Sequence, residues 1–77
     1  MELREAIEKV LSKSNTPLSP IRIADIINTF LIYRRNDGLN VPNIEIVSEV
    51  KKHKDIFNLK GKNIALSRSS KIKFSNT

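Results

Sequence analysis

Residues 41–67 read VPNIEIVSEVKKHKDIFNLKGKNIALS, and the reading of this stretch decides the fold. Pro42 sits at or near a helix start, because its fixed φ suits a first turn whose N–H groups have no intrahelical partner. From there to about Lys54 the spacing predicts a helix. Ile44, Val47 and Lys51 share one face, and Ile46 and Val50 lie at i,i+4 beside it. Its inner side is expected to meet a core. Its outer side is expected to carry Asn43, Glu45, Ser48, Glu49, Lys52 and His53. Two short apolar runs follow, Ile56-Phe57-Asn58-Leu59 and Ile64-Ala65-Leu66-Ser67, on either side of Lys60-Gly61-Lys62-Asn63. A Gly-containing turn between such runs predicts a β-hairpin. A helix and a basic hairpin, placed after two earlier helices, form the layout of a winged helix that touches nucleic acid.

Charge is concentrated in the same region. Residues 51–73 carry eight Lys or Arg (Lys51, Lys52, Lys54, Lys60, Lys62, Arg68, Lys71 and Lys73) against Asp55 alone, a local charge of +7. Residues 1–50 carry six bases and seven acids, so the whole net charge of +6 belongs to one helix end, one hairpin and the tail. Excess lysine also keeps small domains soluble, but a lopsided distribution points to a polyanionic partner.

The bulk numbers set limits. A chain of 77 residues makes one small domain that buries only roughly 60% of its surface on folding. Hydrophobic residues at 39% and charged residues at 29% describe an ordinary globular composition rather than a disordered one. With no Cys there is neither a disulfide framework nor a thiolate zinc site. No apolar run approaches the ~20 residues that span a bilayer. MELREAIEKV is a charged amphipathic start rather than a signal peptide. The expected setting is cytoplasmic, nucleoid-associated in a bacterium, with no membrane partner.

Upstream, Leu3, Ala6, Ile7, Val10 and Leu11 make one apolar stripe, predicting a first helix over residues 2–13 with a Glu5–Lys9 pair on its surface. Pro17 stops it. Ser19-Pro20 then places an N-cap before a residue suited to the first helical position. A second helix is predicted through IRIADIINTFLIYRR, burying Ile23, Ile26, Ile27, Phe30 and Leu31. Asn36-Asp37-Gly38 opens the loop to the third helix. The fold class expected is mainly α (α+β): a winged helix-turn-helix domain over 1–67, with a basic tail or linker over 68–77. A brief strand at Pro17–Leu18 is expected to pair with the wing, and Ile72 and Phe74 offer a further strand in the tail.

Three segments carry a family resemblance. They are Leu3-x-x-Ala6-Ile7-x-x-Val10-Leu11, then Ile23-Ala24-x-x-Ile27, and last Phe57…Gly61…Ile64-Ala65-Leu66. Over about residues 2–67 the chain resembles the HARE-type helix-turn-helix family. That winged helix is associated with restriction endonucleases, chromatin regulators and the delta subunit of bacterial RNA polymerase. The resemblance implies DNA binding and transcription regulation, and a small chain ending in a basic tail is expected to be the N-terminal piece of a larger DNA-processing or regulatory protein. The runner-up that the delta-subunit resemblance implies is a protein–protein adaptor docking to RNA polymerase. Where that family often has Thr or Ser before the Pro of the third helix, this chain has Val41, so the helix start is expected without its usual cap.

The nucleic-acid-binding residues expected are Asn43, Ser48, Lys51, Lys52, Lys54, Lys60, Lys62 and Arg68, the lysines on phosphates and the first two as polar contacts. Glu45 and Glu49 are expected on the face that approaches DNA, where phosphates repel them and a basic protein partner tolerates them. His53 is the single histidine, with no Cys or acid pair to make it a metal ligand or a general base. Ser12, Ser19 and Ser67 have no His/Asp constellation, and Gly38 and Gly61 are isolated turn glycines rather than a phosphate loop. No enzyme, no metal and no cofactor is expected.

Overall fold

Apolar side chains from five elements converge on one core. In the computed structural model, which describes residues 2–67, these are α1 (Leu3–Ser14), α2 (Pro20–Thr29), α3 (Asn43–Lys52), β1 (Phe57–Lys60) and β2 (Asn63–Leu66). The architecture is a small α+β winged-helix-like fold, three helices followed by a two-stranded antiparallel hairpin. Arg68 and the Ile72/Phe74 strand expectation lie outside the described residues.

The stripe read along α1 is buried throughout: Leu3, Ala6, Ile7, Val10 and Leu11 all face inward. A capping box opens this helix. Glu5 turns its carboxylate back to accept from the Glu2 N–H at 2.9 Å, while the Glu2 side chain accepts from the third-residue N–H. The expected Glu5–Lys9 pair therefore gives way to Arg4–Glu8 at 3.3 Å. At the far end Asn15 takes the left-handed conformation, a position that favours Gly or Asn.

Ser19 caps α2 as expected, its side chain accepting from the Arg22 N–H at 3.2 Å, with Pro20 in the first position. The other end corrects the sequence reading. The helix stops at Thr29 rather than continuing to Arg35, and Phe30 and Leu31 stand 70% and 66% exposed. Leu31 adopts φ +52°, and the Ile32 N–H reaches back to the Ile27 carbonyl at 3.0 Å. A left-handed residue followed by this six-to-one bond is the Schellman ending, here built on Leu instead of Gly. It swings Ile32 onto the core and leaves the two residues before it outside.

Between α2 and α3 the chain is pinned by one side chain. Asn28 donates from its amide nitrogen to the Val41 carbonyl at 3.0 Å and accepts the Val41 N–H at 2.8 Å. Val41 is thereby held buried, at the entrance to α3. Pro42 is the N-cap and makes no side-chain cap bond, as the missing Ser or Thr implied. Arg35, in this loop, pairs with Asp37 at 2.9 Å and Glu45 at 3.1 Å.

The hairpin register pairs Phe57 with Leu66, Asn58 with Ala65, Leu59 with Ile64 and Lys60 with Asn63. Its two-residue loop is Gly61-Lys62, with positive φ at Gly61 and not at Lys62, the pattern of a primed turn that suits strand twist. Leu18 and Ile64 exchange both backbone bonds on the other side of β2, at 3.0 and 2.7 Å. The short strand expected at Pro17–Leu18 is thus a single bridge. Ile7, Ile23, Ile27, Val41, Ile46, Val50 and Ile64 are the fully buried centre. Each such side chain contributes about 1.5–3 kcal/mol by leaving water.

Candidate nucleic-acid interface

The side of α3 that meets the core sets the side that does not. Ile46 and Val50, four residues apart, are buried against α1, α2 and β1. At 100° per residue, the direction away from them falls on Ser48, with Ile44, Lys51, Lys52 and Glu45 to its sides. Ser48, Ile44, Lys51 and Lys52 are exposed and Glu45 is half-buried, and Ile44, at 71%, is the most exposed large apolar residue described. Ile44 thus points outward, where the sequence reading gave it a face with Val47. Asn43 stands exposed at the N-terminal end of the same helix.

The two acids on α3 are both engaged. Glu45 lies 3.1 Å from Arg35, and Glu49 lies 3.3 Å from Nε2 of His53, an ion pair when the imidazole is protonated. Glu49 is a flank residue, its side chain 19% exposed, rather than part of an outward face. Arg35 is shared between Glu45 and Asp37, one guanidinium to two carboxylates, so the acid character of this face is offset only in part.

Beyond Lys52 the backbone reverses sharply. The His53 carbonyl accepts both the Ile56 and Phe57 N–H groups at 3.0 Å, and Lys54 stands exposed in that turn. The strand alternation puts Phe57, Leu59, Ile64 and Leu66 on one face, and Asn58, Lys60 and Ala65 on the other. Lys60 borders a groove of about 700 Å³ between α1 and the hairpin, also lined by Glu5 and Glu8. Lys62 sits in the loop, exposed. The structure thus groups Asn43, Ser48, Lys51 and Lys52 on α3, puts Lys54 at the junction, and carries Lys60 and Lys62 at the hairpin tip.

Arg4, Arg22 and Arg35 each have an acid within 4.0 Å, whereas exposed Arg34 has none among the described residues. Among the described residues none of Lys51, Lys52, Lys54, Lys60 and Lys62 has one. Their ammonium groups stay in water on mobile stems, ready to exchange counterions for phosphates. No group of three or more His, Asp or Glu among the described residues is placed to hold a metal ion. No helix among them is long and apolar enough to cross a membrane. Two contributors escaped the sequence reading: outward Ile44 and the Asn28 clamp that orients the entrance to α3. Asn28 bonds a residue thirteen positions away, and no local pattern announces such a contact.

Comparison with protein-family models, with curated proteins and with solved structures finds no match to this chain.

Proposed function

We propose that this domain binds duplex DNA, with the outward strip of α3 toward a groove and the hairpin as a basic wing on the phosphates. The observation that carries this reading is the set of five exposed lysines with no carboxylate partner, on α3, the following turn and the hairpin tip. The resemblance of the chain to HARE-type winged helices supports it. Ile44 suits the C5-methyl of thymine, and Asn43 and Ser48 suit base edges or phosphates. Arg68, just past the described residues, extends the basic run in sequence. Within a larger DNA-processing or regulatory protein, the module would supply attachment rather than chemistry.

Largely electrostatic binding predicts a Kd of roughly 10⁻⁴–10⁻⁶ M near physiological salt. The test is fluorescence anisotropy of a labelled duplex of about 20 base pairs, at about 50 and about 200 mM salt. Binding that weakens steeply with salt and is lost in Lys60→Glu/Lys62→Glu supports the reading. No binding at the lower salt overturns it, and the adaptor alternative, docking to RNA polymerase, then leads.

A further inference from the structure

We propose that the groove between the C-terminal half of α1 and the end of α2, floored by Val10, Ile26 and Ile32, with Phe30 at its lip and Lys9 and Lys13 on its rim, docks an acidic amphipathic helix of a partner protein. The groove is open, about 430 Å³, and takes no residue from α3 or the hairpin. Its occupant and a DNA duplex on the lysine surface therefore do not compete for side chains.

The apolar floor has a structural cause. Leu31 is held at φ +52°, a conformation that costs any residue with a Cβ, and the Ile32–Ile27 bond locks the reversal. The result is that Ile32 lies against the core while Phe30 stands 70% exposed at the groove's lip. An exposed aromatic beside aliphatic residues is the composition of an interface anchor.

The rim supplies the charge preference. Lys9 and Lys13 are one turn apart on α1, and neither has a carboxylate within 4.0 Å among the described residues. The acids nearest Lys9 in sequence are committed elsewhere, Glu5 to the Glu2 N–H and Glu8 to Arg4. The Ser14 hydroxyl donates to the Thr16 carbonyl at 2.7 Å and receives the Thr16 N–H at 3.2 Å. What remains for a ligand is an apolar trough with two free cations above it. Nucleic acid fits this poorly, since a single Phe among aliphatics makes no stacking platform. A trough between two helices, with no strand edge along it, takes a helix carrying apolar residues at i, i+3 and i+4 and carboxylates beside them.

The test is selection from a displayed library of random peptides about 16 residues long, roughly 24 Å as a helix, against the intact chain. The expected outcome is enrichment of net-negative peptides with large apolar residues at helical spacing. Their synthetic versions should lose about tenfold or more in affinity against Phe30→Ser and against Lys9→Glu/Lys13→Glu. Phe30, Lys9 and Lys13 are exposed, so all variants should retain the parent's circular dichroism and Phe30→Ser its unfolding midpoint, while Lys9→Glu/Lys13→Glu should lower the midpoint only modestly through the helix dipole, which identifies the loss as one of contact. No enrichment, a basic or uncharged consensus, or equal binding to the variants overturns the proposal. Sedimentation of the peptide-free chain closes the other route: a dimer abolished by Phe30→Ser would assign the groove to a second copy and overturn it as well.

Discussion

Asn28 shows how much one side chain decides in a domain this small. Its carboxamide presents a donor and an acceptor in the plane of a peptide group, so it completes Val41 as a neighbouring strand would, at 3.0 and 2.8 Å. Both bonds are partly buried, where an unmet backbone group costs about 1–3 kcal/mol. Replacing Asn28 with Ala should therefore lower unfolding stability by about 1–3 kcal/mol, read from urea denaturation. Asn28→Asp keeps the acceptor for the Val41 N–H but sets a carboxylate against the Val41 carbonyl, and should fall at least as far. If Asn28→Ala unfolds at the parent's urea midpoint, water replaces the clamp freely, and Val41 is held by its burial alone.

At the scale of elements, two left-handed positions are filled in opposite ways, and this makes them a matched pair. Gly61 provides φ +63° at the hairpin tip, and a Cβ built there would meet nothing within 4 Å. Gly61→Ala should then cost about 1–2 kcal/mol from the backbone alone. Leu31 occupies φ +52° at the end of α2 without that freedom, and its side chain is two-thirds exposed. Leu31→Gly should change stability by somewhere between nothing and a gain of about 1 kcal/mol, whereas Leu→Gly inside a helix costs about 1 kcal/mol. Thermal unfolding of both variants reads the two signs, and a clear loss for Leu31→Gly would show that its side chain carries more contact than its exposure suggests. The same pair explains what the sequence revealed. Gly61 between apolar runs announces a turn, and Ser19-Pro20 announces a helix start, so the hairpin and the beginning of α2 were legible. Leu31 announces nothing: in FLIYRR it continues an apolar helical period, and only the non-local seat of Ile32 makes the chain turn there. Ile44 misled for a related reason. Ile44 and Ile46 are equally apolar, and which one reaches the core depends on how α3 is rotated against α1 and α2. The lysines of the candidate interface were plain in sequence because charge needs no partner to be seen; the pairing of Glu45 with Arg35 was not, because it crosses a loop.

For the whole molecule, the open matter is whether the lysines act as one surface. Lys51 and Lys52 leave the outer face of α3, whereas Lys60 borders the α1 side of the hairpin, near Glu5 and Glu8. A four-residue strand is about 13 Å long, so the hairpin tip stands more than a Debye length (about 8 Å at physiological salt) from the α3 end of β1. Counterion release gives the measure, because log K falls with log salt by about 0.9 for each phosphate neutralised. If all five described lysines touch one duplex, the slope should approach about −4.5, and Lys51→Ala/Lys52→Ala and Lys60→Ala/Lys62→Ala should each flatten it by about 1.8. If the wing lies away from the DNA, the α3 pair alone will flatten the slope and the hairpin pair will leave it unchanged. Lys60 would then serve the groove it borders, and the acids of α1 beside it would account for its position better than phosphate does.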